Sequence, residues 1–319
     1  MSSPARLNGT QSEIITRAAR LSRYVRHLLS ADPALALEAE VDSPFSAEQM
    51  RARLSGAGFG VEDALKTGLR RLRQAVMLRL ITRDLSGRAD LGEVVATATA
   101  LAEETLRAAV ARHSQWLAGD FGRPRGVASG DVQELHIIGM GKLGGAELNV
   151  SSDIDLVFAY PEEGQTDGPR RIANNEYFTR LARKLIAAVG EVTADGFVFR
   201  VDTRLRPYGD SGPLVVSFDM LEDYLATQGR DWERYAWVKG RTISGDQAAQ
   251  LEAIVAPFVY RRYLDFSALA SLRDLHAQIR HEVQRRDIAD NIKIGPGGIR
   301  EIEFLVQVFQ IIRGGREPQ

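Results

Sequence analysis

Two aspartates one residue apart, Asp153 and Asp155, stand in the run Asp153-Ile-Asp-Leu-Val-Phe-Ala-Tyr160, whose other members are β-branched, aromatic or aliphatic. That composition predicts a strand. Alternation places both carboxylates on one face and Ile154, Leu156 and Phe158 on the other. Like charges this close repel, so the pair calls for a cation; on a rigid strand it is a ligand set for Mg2+, which takes hard oxygen ligands and completes its shell with water and phosphate oxygens. A second stretch, Phe197-Val-Phe-Arg-Val-Asp-Thr-Arg-Leu-Arg206, also reads as a strand. Period two puts Val198, Arg200, Asp202, Arg204 and Arg206 on one face and Phe197, Phe199, Val201, Thr203 and Leu205 largely toward the core. Asp202 would then join Asp153 and Asp155 in a two-metal site, in which ions about 3.5–4 Å apart clamp the attacking and leaving oxygens of an in-line phosphoryl displacement. Arg204 and Arg206 would serve phosphate oxygens through their planar donors. The plainer alternative is that Asp202 only pairs with Arg204 or Arg206 on a half-exposed sheet.

Upstream, Gly139-Met-Gly-Lys-Leu-Gly144 follows an apolar strand, Leu135 to Ile138, and matches the dinucleotide-binding pattern G-x-G-x-x-G. That fingerprint needs a full helix before the next strand, within a unit of roughly 30 residues. Between Gly144 and Asp153 there is room for a turn or two of helix, and Asn149-Val-Ser-Ser152 reads as loop. A P-loop is excluded, because Lys142 lacks both the spacing and the following Ser or Thr. What the spacing does suit is a glycine turn that brings backbone N–H groups to phosphate, followed directly by a strand bearing Asp-x-Asp.

That arrangement resembles nucleotidyltransferases of the DNA-polymerase-beta-like type, which implies an α+β core. The longer string Gly139-Met-Gly-Lys-Leu-Gly-Gly-Ala-Glu-Leu-Asn-Val-Ser-Ser-Asp-Ile-Asp-Leu156 is narrower, and is similar to the glutamine synthetase adenylyltransferase/adenylyl-removing enzymes. Those enzymes carry two such catalytic domains in one long chain, and Glu147-Leu-Asn149 with Ser152-Asp-Ile-Asp155 resembles the N-terminal, de-adenylylating copy. Arg200-Val-Asp-Thr-Arg-Leu-Arg-Pro207 with Gly209 to Leu214, Trp232 to Lys239 and Lys293 to Glu303 resemble further motifs of the family. The resemblance implies removal of AMP from a tyrosine of glutamine synthetase by inorganic phosphate, with Mg2+, release of ADP and a PII-type signalling protein as regulator. It assigns metal binding and catalysis to Asp153, Asp155 and Asp202. Phosphate or nucleotide contacts fall to Gly141, Lys142, Gly144, Gly145, Ser152, Arg204 and Arg206. Where the wider superfamily opens its site with Gly-Ser, this chain has Gly141-Lys142, so that serine contact is not carried over.

The rest of the 319-residue chain must position these groups. A hydrophobic content of 44% allows a sizeable core, and the length suits two domains or one large one. Lys plus Arg at 41 against Asp plus Glu at 42 leaves a net charge of −1, without the basic field of a non-specific nucleic-acid binder. There is no cysteine and only five histidines, which excludes thiolate chemistry and disfavours a His-rich metal site. Neither a signal-peptide pattern nor a bilayer-length apolar run is present in the sequence, so a cytoplasmic protein without membrane contact is expected.

Three regions are expected: a helical region and linker over 1–129, the catalytic core over 130–245, and a helical segment over 246–319 at the truncated start of a further domain. Ile14 to Leu28 follow helical spacing, Ser46-Ala-Glu-Gln49 has the form of a capping box, and long helices are expected over 61–85 and 91–116. The arginines Arg70, Arg71 and Arg73 fall opposite the apolar stripe of the first of these, as a solvated face or a docking surface for a protein substrate. Phe121 to Asp131, rich in glycine, proline and polar residues, reads as a linker, and Pro161 to Pro169 as a loop. Helices follow over 174–192, 218–227, 231–239, 251–263 and 267–288, the aromatics of the third of these more suited to packing than to base stacking. Lys293 to Glu303 is a glycine loop entering a helix, which suits either an anion at the helix N-terminus or a local cap in which Arg300, Glu301 and Glu303 pair.

Overall fold

The computed structural model describes residues 9–56, 58–260, 291–293, 295 and 297–314. The helix expected over 267–288 lies outside them, as do the last residues of the one expected over 251–263.

Helices α1 (Gly9–Leu21), α2 (Arg23–Ala31), α3 (Ala47–Gly56), α4 (Glu62–Leu85) and α5 (Leu91–Phe121) come first. The capping box is there: the Gln49 N–H donates to Ser46 Oγ at 3.1 Å, and the Ser46 N–H to Gln49 Oε1 at 3.0 Å. Asp90 caps α5 by accepting the Glu93 N–H at 2.8 Å. The expected linker is partly a strand. Pro124–Gly126 (β1) pairs antiparallel with Gly164–Thr166 (β4), inside what reads as a loop. Both are bound up with close chain approaches: a Cβ on Gly122 (φ 81°) would meet the Gly168 nitrogen at 2.1 Å.

The central sheet contains β2 (His136–Met140), β3 (Ile154–Tyr160), β5 (Val201–Asp202), β6 (Val215–Ser217) and β7 (Arg241–Ser244). Its order is β5-β3-β2-β7, with β6 also on β3. β2 runs antiparallel to β3 and β7, whereas β5 and β6 lie parallel to the two ends of β3. Ile137, Ile154, Leu156, Phe158 and Tyr160 join a core with α7 (Asn174–Gly190), α4 and α5. The opposite face, with Ile138, Met140, Val157 and Ala159, packs under α8 (Phe218–Thr227), α9 (Asp231–Trp237) and α10 (Ala248–Val259). The first of these cores extends from Phe45 to Ile243, so it runs without interruption across residue 130. Between β2 and β3, Gly141–Gly144 forms a single helical turn, α6; the last described helix is α11 (Ile299–Arg313). The fold is thus α+β, a small mixed sheet clad in helices. No helix among the described residues is long and apolar enough to cross a membrane.

The expected long strand over 197–206 is not formed. Only Val201 and Asp202 pair with β3, while Val198 and Phe199 are both buried in the core. The strand stops because the Asp202 carboxylate accepts the Arg204 N–H at 2.9 Å, two residues on, which turns the chain. Further turns follow, from the Arg206 N–H to the Thr203 carbonyl and from the Gly209 N–H to the Arg206 carbonyl.

Of the arginines of α4, Arg71 is exposed as expected, whereas Arg70 and Arg73 are not. Arg70 is 1% exposed, and its guanidinium donates to the carbonyls of Lys66, Ala188 and Gly196 at 2.9, 2.9 and 2.8 Å, and to that of Glu191. A cation at the C-terminal end of α7 satisfies carbonyls the helix leaves over and complements its dipole. Arg70 is therefore a clamp between α4 and the end of α7 with the segment that follows it. Arg73 lies between the rings of Tyr24 and Phe197, at 5.4 and 5.2 Å from their centroids.

Candidate active site

The carboxylates are assembled by strand register. Parallel pairing sets Asp155 of β3 opposite Asp202 of β5, and antiparallel pairing sets Met140 of β2 opposite Asp155. Asp155 thus lies between a second carboxylate and the entrance of the glycine turn. Gly141 (φ 54°) has to be glycine on two counts: its backbone is left-handed, and a Cβ there would stand 3.0 Å from Asp155 Oδ2.

Burial is the main cause that pushes the Asp155 carboxyl up to about 6, followed by the charges of Asp202 and Asp153; Arg204 and Lys293 pull the other way. Asp202 is held below the usual carboxylate range by its hydrogen bonds with Arg204, whose Nε lies 3.0 and 2.9 Å from the two oxygens. Asp153 is largely exposed and pairs with Arg200, which also donates to the Ser151 carbonyl at 3.2 Å. Among the described residues, the Asp155 carboxylate has no hydrogen-bond donor or cation paired with it.

No group of three or more carboxylate or imidazole side chains among the described residues converges as a ready cage for a metal. The reason is visible: Asp153 turns toward Arg200 and Asp202 toward Arg204. The donor set nonetheless fits a hard divalent ion of the kind nucleotidyltransferases typically use. Mg2+ is commonly bound through one or two carboxylates with phosphate oxygens completing its shell, and Asp155 with Asp202 supplies that pair.

The other residues singled out from the sequence surround this pair unevenly. Lys142 is half-exposed, and its ammonium makes no hydrogen bond or ion pair with a described residue. Gly144 is buried, and a Cβ there would stand 1.6 Å from the Lys239 carbonyl oxygen, so the turn closes against the segment after α9. The Gly145 N–H donates to the Gly141 carbonyl at 3.0 Å. Ser152 Oγ donates to Asn149 Oδ1 at 2.8 Å. Arg204 folds back on Asp202, while Arg206, with its side chain only 12% exposed, donates to the carbonyl and hydroxyl of Thr203, both at 2.9 Å. Alternation set both arginines on the face of Asp202; the turn leaves Arg204 beside it and withdraws Arg206 into Thr203.

Three supporting residues were not assigned a role from the sequence. Asn149 accepts from the Ser151 N–H at 3.2 Å as well as from Ser152, fixing the approach to Asp153; an Asn two residues before serines is a readable turn signal. Arg241 of β7 donates to the carbonyls of Gly144 and Leu143 at 2.9 and 3.0 Å and pairs with Glu103 of α5 at 2.7 Å. Lys239 pairs with Glu147, just beyond the turn. Both depend on contacts across more than 90 residues, for which the local sequence holds no signal. Trp237 is buried under the sheet, as expected of a packing aromatic.

The turn, the Asp-x-Asp strand and the adjoining Asp202 lie in a stretch that is similar to known proteins. Residues 273–319 match the family model described as GlnD PII-uridylyltransferase. A bifunctional glutamine synthetase adenylyltransferase/adenylyl-removing enzyme of Chromobacterium violaceum is 58% identical over 96% of this chain and 34% of its own length. Its namesakes from Aromatoleum aromaticum and Nitrosomonas europaea are 55% and 52% identical over 96% of the chain, and over 33% and 34% of their own. The chain spans about a third of the length of these curated relatives. Residues 12–254, which hold α2 to α9, the sheet and all three aspartates, match the model described as glutamate-ammonia ligase adenylyltransferase, and the chain belongs to that family of nucleotidyltransferases.

Proposed function

We propose that this chain removes AMP from an adenylylated tyrosine of glutamine synthetase by phosphorolysis and releases ADP. The observation that carries the reading is the side-by-side placement of Asp155 and Asp202, on parallel strands at the mouth of a glycine turn. Two carboxylates brought together at a cost in repulsion are arranged for a cation and for phosphate, and the family supplies the adenylyl group. The direction is supported by the wording of Glu147-Leu-Asn149 and Ser152-Asp-Ile-Asp155, which resembles the de-adenylylating copy.

Mg2+ is the proposed ion, held by Asp155 and Asp202 with Asp153 as a third ligand once turned from Arg200; when bound it would neutralise phosphoryl charge and ease departure of the phenolate. The chain's own groups do the remainder. The opening of the turn at Gly141 and Lys142 offers N–H groups and an ammonium to phosphate oxygens, and Gly144 and Gly145 let that turn close. Ser152, tied to Asn149, holds the loop that delivers Asp153. Arg204 lies where it can pass from Asp202 to a phosphate oxygen. Arg206 serves the site by bracing the turn that carries Arg204. The phosphate oxygen attacks the adenylyl phosphorus in line, the bond to the tyrosyl oxygen breaks, and the proton of hydrogen phosphate ends on that oxygen. We place this reaction in the cytoplasm and propose a PII-type protein as its regulator, the latter supported by the match of residues 273–319 to a model whose description names PII.

The test is incubation with adenylylated glutamine synthetase in the presence and absence of Mg2+ and phosphate. ADP forming only when both are supplied agrees with the proposal. Incorporation of AMP from ATP into unmodified glutamine synthetase, without phosphate-dependent release, would assign the opposite direction.

A further inference from the structure

A cleft of about 550 Å3 opens between the N-terminal helices and the segments that lead to the aspartates. One wall comes from the junction of α1 and α2, with Leu21, Arg23 and Tyr24, and from one side of α4; the other comes from residues 150–152 and 197–200. Those two segments run straight into the site. Ser152 stands three residues before Asp155 and Arg200 two before Asp202, at most about 11 Å along an extended chain. They are tied to each other on the way: the Ile154 N–H donates to the Arg200 carbonyl at 2.9 Å, and the Arg200 side chain pairs with Asp153 and donates to the Ser151 carbonyl at 3.2 Å. A protein whose tyrosine reaches Asp155 and Asp202 brings the neighbouring residues of its own chain to this cleft.

The wall supplied by α1 and α2 is basic. From Ile14 to Ala31 the sequence holds four arginines, Arg17, Arg20, Arg23 and Arg26, and neither Asp nor Glu. Ile15, Ala18, Val25 and Leu28 are buried, which turns the arginines outward; all four are exposed, and none pairs with a carboxylate among the described residues. Arg26 folds back on the carbonyls of Ala19 and Arg20, at 3.0 and 3.1 Å, and closes the corner between the two helices. Arg23 makes no such bond and lines the cleft beside Leu21, which is 61% exposed. Deeper in, Arg73 is already held, by the Tyr24 hydroxyl at 2.7 Å and by the rings of Tyr24 and Phe197. Against Arg23, Arg73 and Arg200 the described lining sets one acidic residue, Asp84. An apolar floor with a basic rim suits a chain that is both acidic and apolar. The arginines continue over α1 and α2 beyond the cleft, so the surface is longer than a small anion uses and fits a polypeptide.

We propose that this cleft docks an acidic, apolar stretch of glutamine synthetase that flanks the adenylylated tyrosine, with Arg23 and Leu21 at its entrance. This rests on the reading that the chain acts on that tyrosine, and it holds for either direction of transfer. Arg23 attracts the acidic stretch and meets it at the rim, and Leu21 adds an apolar contact. Neither touches a phosphoryl group, so the cleft sets affinity for the protein substrate equally in the ground and transition states and leaves the chemical step alone.

The experiment compares the unsubstituted chain with Arg23→Glu, Arg23→Lys and Leu21→Ser, and with Arg171→Glu, which makes the same change of charge at an exposed arginine outside the cleft. Binding of each to adenylylated glutamine synthetase is measured by sedimentation, alongside phosphate-dependent formation of ADP. Arg23→Glu should weaken binding and raise the KM for adenylylated glutamine synthetase by about three- to tenfold, with the KM for phosphate, kcat and melting temperature unchanged. Leu21→Ser should weaken binding in the same way, and Arg23→Lys, which keeps the charge, should retain it. Added salt should weaken binding of the unsubstituted chain more than that of Arg23→Glu. Unchanged binding in Arg23→Glu, an equal loss in Arg171→Glu, or a loss of phosphate affinity in its place would overturn the docking site while leaving phosphorolysis standing. Binding that depends on Arg23 without phosphate-dependent ADP would support the docking site and overturn phosphorolysis, and absence of both binding and ADP would overturn the two together.

Discussion

Asp155 carries more of the site's repulsion than either neighbour, because it is the more buried and has a carboxylate in register beside it. Below its ordinary value of 3.8 the group is neutral whether the chain is folded or not, and no cost arises. As pH rises through about 6 the folded protein must also ionise it, so stability present at low pH is lost at neutral pH. Asp155→Asn should therefore abolish turnover yet stabilise the fold at pH 7, by about 1–2 kcal/mol after solvent screening, with the gain gone below about pH 4. Urea unfolding at the two pH values checks this; a destabilised Asp155→Asn at pH 7 would contradict it. The two arginines should part company. Arg204→Lys should lower activity with little effect on stability, since its pair with Asp202 is exposed, whereas Arg206→Lys should cost about 1–2 kcal/mol because the nearly buried guanidinium donates from Nη1 to Thr203 and from Nε to the Gly212 carbonyl, and one ammonium cannot span both. Thermal melts of the two variants distinguish them, and equal melting temperatures would refute the difference. The aspartates were legible from the sequence because two carboxylates spaced one residue apart in an apolar strand repel each other unless a cation joins them. The arginines were only half legible: alternation assumes a strand, and the Asp202 side chain ends that strand by capturing the N–H of Arg204.

At the scale of elements, α3 and α4 begin and end close to where spacing and caps place them, as with Ser46 and Gln49 at α3, whereas the run Ile14 to Leu28 is broken at Ser22 into α1 and α2 and α5 continues past 116 to Phe121. What spacing could not supply was the partner of a charged face. Arg70 reads as solvated by its position opposite the leucine stripe, yet it enters the end of α7, more than 100 residues on in the chain. Arg70→Met should leave several carbonyls without donors and destabilise the chain by about 2–4 kcal/mol, seen as a lower urea midpoint. A variant within about 0.5 kcal/mol of the unsubstituted chain would return Arg70 to the surface role its position suggested. The same limit applies to the β1 and β4 ribbon, since short strands flanked by glycine and proline carry no periodicity to read.

At the scale of the whole molecule, composition and motif content imply a helical region beside a catalytic core, while the packing gives them one interior. Leu65, Leu69, Leu72 and Leu106 share a cluster with Ile154, Leu156, Phe178 and Leu185. A fragment of residues 130–260 should therefore lack the near-ultraviolet dichroism of fixed packing, whereas residues 9–260 should unfold in one transition. A folded, cooperative 130–260 fragment would show instead that the helical region is dispensable to the core. Attack of phosphate on the adenylyl group between Asp155, Asp202 and the glycine turn can be followed directly with an isotope. Inorganic phosphate labelled with 32P, supplied with adenylylated glutamine synthetase and Mg2+, should place its label in the β-position of ADP, one for each AMP lost from tyrosine, and Asp202→Asn should stop it. Release of the adenylyl group as unlabelled AMP would exclude phosphorolysis, and label incorporation undiminished in Asp202→Asn would remove Asp202 from the site.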